Sequence, residues 1–180
     1  MSKAVKHLQN IRIQDEYGTP LFLFQEYCKH FDFIPKVDYF ASPVNHVVQK
    51  YYTMKENSFE MDWTEDGFVN PPYSQVKKVM EKAYNECSKY HIRLLILVYA
   101  KTDTDWWHEY IENNPMVTYK FQHHRIKFLD ENGQKILDKN GREQSAPYPS
   151  VWIFMNGKEQ VRTPCSKCGG DCAVWCEEGE

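Results

Sequence analysis

The sequence has no apolar run long enough to cross a bilayer. Its longest, residues 94–100, falls far short of the roughly 20 residues that a membrane-spanning helix needs. The opening MSKAVKHLQN holds neither an apolar core nor a small-residue cleavage site, so no secretory leader is expected and a cytoplasmic protein is. Positive charge is also scarce. A formal net charge of -3 excludes a uniformly basic nucleic-acid binder and leaves any phosphate contact to a local patch. There is no internal repeat and no low-complexity stretch. Outside the tail only Cys28 and Cys87 occur, so no disulfide framework is expected.

What remains is a chain of 180 residues, 42% hydrophobic and 15% aromatic, which suits one domain with a real core. Residues 1–14 read as a loose arm, 15–157 as the folded domain and 158–180 as a cysteine-rich tail. Thr19 and Pro20 start a helix over 20–31, with Thr19 as its cap. A short strand should end near Asp38, a helix should cover 45–51, and 59–63 should be a strand or extended loop. Residues 67–69 read as a strand. Ser74 caps the next helix, whose apolar face is Val76, Val79, Met80, Ala83, Tyr84 and Cys87. The continuous run at 92–99, IRLLILVY, is what a central strand buried on both faces needs. Thr104 caps a helix to about Asn113. Strands follow at 117–121, 125–129 and 151–155, with turns at DENG (130–133) and DKNG (138–141). Strand–helix–strand–helix in the middle predicts an α/β sheet, closed by antiparallel strands near the C-terminal end.

The stretch Asn70-Pro71-Pro72-Tyr73-Ser74 carries the chemistry. Two prolines cannot extend a helix or a central strand, so the short strand before them ends in a stiff elbow. In an open α/β sheet that elbow lies in the ligand crevice beyond the strand ends. The Asn70 amide oxygen and the Pro71 carbonyl are acceptors, and Tyr73 offers a flat ring. Two acceptors beside a stacking ring suit an exocyclic amine on a planar base. Holding both N–H bonds pulls the nitrogen lone pair out of conjugation and aims it at an electrophile. An ordinary turn with ordinary tyrosine packing is the plain alternative.

NPPY is similar to the catalytic motif of amino-group methyltransferases that use S-adenosylmethionine (SAM). With DEYGTPLFLF (15–24), VDYFASPVN (37–45), YYT (51–53), DW (62–63), AKTDTDWWHEYI (100–111), RIKF (125–128) and SAPYPSVWIF (145–154), the chain resembles the phage-type DNA adenine N6-methyltransferase (Dam) family. The resemblance implies a Rossmann-like SAM-dependent methyltransferase sheet. It implies methyl transfer to adenine N6 in DNA, with the base flipped out of the duplex to reach Asn70, Pro71, Pro72 and Tyr73. It assigns Tyr17, Thr19, Pro20, Asp38 and Asp62 to SAM. For a phage enzyme, it implies work in the host cytoplasm and protection from restriction-modification systems. The usual Gly-rich turn after the first strand is missing; Asp38-Tyr39-Phe40-Ala41-Ser42 stands there instead, with Tyr39 and Phe40 expected to pack on the cofactor.

Phosphate and base contacts are expected from KFQHHRIK, through Lys120, His123, His124, Arg125 and Lys127, with a solvated strand face as the alternative. Lys101 to Thr104 follow the buried strand at the ligand-facing edge, where Asp103 either orders the site or helps to cap the helix. In the tail, Cys165, Cys168, Cys172 and Cys176 form C-x2-C-x3-C-x3-C, which suits tetrahedral zinc and is reminiscent of a zinc knuckle. Reduced thiols on a polar tail, or an iron–sulfur cluster, are the alternatives. Two other functions compete. One is methylation of cytosine N4, an amine the same elbow can hold. The other is a catalytically silent DNA-binding protein of the same fold. Protein glutamine methylation also uses NPPY, but that family's Gly-rich first motif is missing.

Overall fold

The computed structural model describes residues 17–160. The arm and the four tail cysteines lie outside the described residues. Six strands form one sheet: β1 (Val37–Asp38), β2 (Lys50–Tyr51), β3 (Gly67–Val69), β4 (Arg93–Tyr99), β5 (Val117–Phe121) and β6 (Ser150–Asn156). Their order is β2-β1-β3-β4-β6-β5. The first four are parallel, and β6 lies antiparallel between β4 and β5. This is a mixed α/β sheet of the methyltransferase type, with antiparallel strands near the C-terminal end. Among the described residues, no helix is long and apolar enough to cross a membrane.

Among the described residues, three α-helices cover the sheet: α1 (Leu21–His30), α2 (Val76–Tyr90) and α3 (Asp105–Tyr110). The apolar run of β4 divides by period two. Leu94, Ile96 and Val98 pack with Val79, Met80, Ala83 and Trp107. Leu95, Leu97 and Tyr99 pack on the other face with Leu23, Phe24, Tyr27 and Phe128. Full burial of such side chains stabilises by about 1.5–3 kcal/mol each, which explains why a strand buried on both faces carries no polar position from Leu94 to Val98. The apolar face expected for α2 is the one it buries, with Tyr84 half-buried beside it.

Several local expectations are corrected by where backbone groups find partners. Thr19 does not cap α1; Pro20 occupies the cap position without a side-chain bond. Ser74 lies within a 3-10 turn (Tyr73–Gln75), and Gln75 precedes α2. Residues 45–49 are not helical. Ser42 Oγ accepts from the N–H groups of Val44 and Asn45, and the Asp38 carboxylate accepts the Val47 N–H at 3.2 Å. Those donors are thereby lost to a helix ladder, and 50–51 is strand β2. Of the two readings of 59–63, the strand is absent: residues 59–61 form a turn and a bend, and 62–63 are irregular. α3 stops at Tyr110, before Asn113. Residues 125–129 are not a strand. Leu129 makes isolated bridges to Gly18 and Lys135, while Ile126 and Phe128 point into the core.

The two Asp-x-Asn-Gly turns are built alike. Asp130 Oδ1 accepts from the N–H groups of Asn132 and Gln134, and Asp138 Oδ1 from those of Asn140 and Arg142. Gly133 and Gly141 close them at φ 71° and 74°, a region L-residues avoid.

Candidate active site

β1 and β3 are neighbours, yet the chain leaves β1 toward β2 on one side and returns as β3 on the other. This reversal makes the topological switch point, the place beyond the carboxyl ends of the strands where ligands of open α/β sheets bind. Asp38 ends β1, Asn70 follows β3, and Tyr99 ends β4. One sheet edge therefore gathers residues that are far apart in the chain.

The elbow is rigid. Pro71 is buried, and the Pro72 carbonyl accepts the Gln75 N–H at 2.9 Å, turning the chain into α2. The Pro71 carbonyl takes no part in that turn. Asn70 is fixed through both of its donors. Nδ2 donates to the Tyr17 carbonyl at 2.8 Å and to Thr19 Oγ1 at 3.0 Å. The segment carrying these acceptors is itself stapled, because Gly18 and Leu129 exchange backbone hydrogen bonds of 2.9 Å in both directions. With its donors committed, the amide presents Oδ1 in one orientation. That oxygen is buried and has no hydrogen-bond partner among the described residues. A buried acceptor left unpaired costs about 1–3 kcal/mol, so it marks a place where a donor belongs.

Tyr73 lies among aromatic rings. Tyr99 stacks on it at 3.7 Å and 11°, Tyr17 is tilted at 6.1 Å, and the edge of Phe128 lies at 6.2 Å. One face of Tyr73 is thus backed by Tyr99, which holds the ring as a platform. Neither Tyr99 nor Phe128 was singled out from sequence. The signal for Tyr99 was its place as the last residue of the apolar run, level with the elbow across β3 and β4.

Asp38 is buried. Its carboxylate accepts the backbone N–H groups of Phe40 at 3.3 Å and Val47 at 3.2 Å. Burial pushes its pKa up to about 7, against the lowering effect of these two bonds. Tyr17, Thr19 and Pro20 also reach this edge, where Tyr17 and Thr19 act on Asn70. Asp62 does not. It is exposed, accepts a 2.5 Å hydrogen bond from Tyr90 Oη, and pairs with Lys89 Nζ at 3.7 Å. Tyr90 ends α2 and the elbow precedes its start, so Asp62 sits about 20 Å of helix away from Asn70. The Tyr90 hydrogen bond, with burial opposing and Lys89 assisting, holds its carboxyl below the usual range. Tyr39 is buried, stacks on Trp63 at 4.6 Å, and donates its hydroxyl to the Glu65 carbonyl. Phe40, half-buried, packs against Phe59 and Trp63.

The residues expected to meet DNA are mostly engaged within the protein. Arg125 Nη1 donates to the Ala146 carbonyl at 3.1 Å and to the Pro147 carbonyl. Lys127 and Lys135 share Glu143, whose carboxyl they push down to about 2. Lys120 Nζ lies 3.5 Å from His30 Nδ1 and over the Tyr27 ring. His123 and His124 remain exposed, touching each other. Among the described residues, no group of three or more His, Cys, Asp or Glu is placed to hold a metal.

No curated protein sequence matches the chain. Residues 7–166, which include every described residue, match the family of DNA N-6-adenine-methyltransferases (Dam). An α/β sheet with an antiparallel strand in the penultimate position, and an elbow with a fixed acceptor at its switch point, agree with that match: the chain belongs to the Dam family of DNA N-6-adenine-methyltransferases.

Proposed function

We propose that the protein transfers the methyl group of SAM to the N6 amine of adenine in DNA, with the base flipped into the NPPY elbow. The observation that carries this reading is the Asn70 amide, whose two donor bonds leave Oδ1 as a buried acceptor without a partner among the described residues. Asn70 Oδ1 and the Pro71 carbonyl accept the two N–H bonds of the target amine. Tyr73, backed by Tyr99, holds the ring of the base. The amine is thereby positioned as a nucleophile without losing a proton first. SAM, when bound, supplies an electrophilic methyl on its sulfonium.

Asp38 supports a SAM site at this sheet edge: it is a buried carboxyl at the switch point, and among the described residues its side-chain bonds go to backbone donors. Contact with the cationic donor would favour ionised Asp38. Burial has pushed its pKa to about 7, so SAM affinity should fall as pH drops through that value. Stability follows a related course. From about pH 4, where an unfolded aspartate ionises, to about pH 7, the native state keeps a proton that the unfolded chain has lost. The Asp38 contribution therefore lowers stability as pH rises through that window. Asp38→Asn should flatten both profiles in calorimetric SAM titrations and melting curves; unaltered profiles would remove Asp38 from the cofactor site.

The reaction itself is tested by incubating the protein with DNA and labelled SAM and digesting the DNA to nucleosides. N6-methyladenine is the expected product. Label in N4-methylcytosine would move the target to cytosine. Bound SAM with no label in any base would make the protein a silent DNA binder. Separately, the spacing of Cys165, Cys168, Cys172 and Cys176 supports one zinc held by the tail, and metal analysis should find about one per chain. Metal-free protein with unchanged folding would sink that reading.

A further inference from the structure

The chain offers DNA a contact that the basic segment 120–127 does not. Lys101 follows β4 at the ligand-facing edge, and its Nζ lies 5.3 Å over the Tyr148 ring. It enters no ion pair among the described residues, unlike Lys127 and Lys135. Tyr148 is 52% exposed, leaving ring surface open to solvent. Its ring leans on Tyr99 at 5.4 Å, and Tyr99 stacks on Tyr73. An aromatic path thus runs from the elbow to the surface and ends beneath a cation.

Both residues are held in place before any ligand arrives. Arg125 clamps the carbonyls of Ala146 and Pro147, just ahead of Tyr148. The Pro149 carbonyl accepts the Ala100 N–H at 2.8 Å, which ties the two segments together. The Lys101 N–H donates to the Tyr99 carbonyl, and the Lys101 carbonyl accepts from Thr104 Oγ1 at 2.7 Å. Preorganisation of this kind lowers the ordering cost of binding.

We infer that Tyr148 and Lys101 form a subsite for a nucleotide flanking the flipped adenine, with the Tyr148 ring against its base or sugar and the Lys101 ammonium on its phosphate. The inference rests on the DNA-methyltransferase reading above. An exposed ring beside an unpaired cation is the pairing that tracks an unstacked strand, and stacking of this sort tolerates any base. Arg125 then contributes by bracing Tyr148 rather than by touching DNA.

The test is binding of a fluorescent duplex with one mismatched adenine, measured by anisotropy over a series of salt concentrations. Lys101→Gln should reduce the slope of log affinity against log salt by about one unit, the signature of one lost phosphate contact. Tyr148→Ala should weaken binding roughly tenfold, and Tyr148→Phe should restore it. SAM binding should be unchanged in all three variants. Wild-type slope in Lys101→Gln with wild-type affinity in Tyr148→Ala would overturn the subsite while leaving the methyltransferase reading intact. Loss of SAM binding in either variant would overturn it too, by showing that the pair supports the cofactor edge. An unaltered protein that neither binds nor methylates DNA would overturn both.

Discussion

Asn70→Ala is expected to lower the rate of methyl transfer about a hundredfold or more while leaving SAM affinity unchanged. The substitution removes Asn70 Oδ1, a buried acceptor with no hydrogen-bond partner among the described residues. It also deprives the Tyr17 carbonyl and Thr19 Oγ1 of their shared donor, but both belong to a segment already stapled to Leu129. Thr19→Val probes the same geometry from behind. Losing one of the two bonds that orient the amide should reduce kcat about tenfold, and Thr19→Ser should recover it. Single-turnover rates and equilibrium SAM binding separate the possibilities. Full transfer by Asn70→Ala would sink the amine contact. A fall in SAM affinity with unchanged kcat in Thr19→Val would return Thr19 to the cofactor.

Gly157→Ala is expected to destabilise the fold by about 3 kcal/mol, lowering the melting temperature by roughly 10 °C. A Cβ at Gly157 would lie 2.1 Å from the Cys87 carbonyl oxygen and 2.8 Å from that of Ile92. Both obstacles are backbone, so no side chain can swing away. The Gly157 N–H also donates to the Ile92 carbonyl at 2.9 Å, tying the end of β6 to the turn between α2 and β4. Gly141→Ala is the control: its φ of 74° strains an alanine, but nothing lies within 4 Å of the added carbon. It should cost about 1 kcal/mol. Equal melting temperatures for Gly157→Ala and the unchanged protein would mean that these segments do not meet as described.

The parts of the fold that were readable are those where one physical cause leaves one pattern. A strand buried on both faces leaves a continuous apolar run, and β4 is found where IRLLILVY stands. Two prolines leave an elbow. Residues 125–129 show the limit, because alternation reports which side chains are buried and not whether the backbone is paired. Ile126 and Phe128 are inside as a strand would place them, yet only Leu129 makes a bridge. Residues 45–51 looked helical because nothing in their order reveals that Asp38 takes the Val47 N–H. At the site, Asn70 and its neighbours were legible as local chemistry. The backing of Tyr73 by Tyr99 was not, since it depends on the register of β3 against β4. The place of Asp62 beside Tyr90 and Lys89 was not legible for the same reason: distance along the chain carries no information about which end of α2 a loop approaches.

The position of β6 also has a consequence for the chain as it is being made. β4 is complete at Tyr99, but the strand that covers one of its edges runs from Ser150 to Asn156. During synthesis, some fifty further residues must emerge before that edge can close. Until then the most apolar strand of the protein offers unpaired backbone to any other nascent chain. Damage to β6 should therefore show first as loss of soluble protein leaving the ribosome, at substitutions too mild to alter the finished fold.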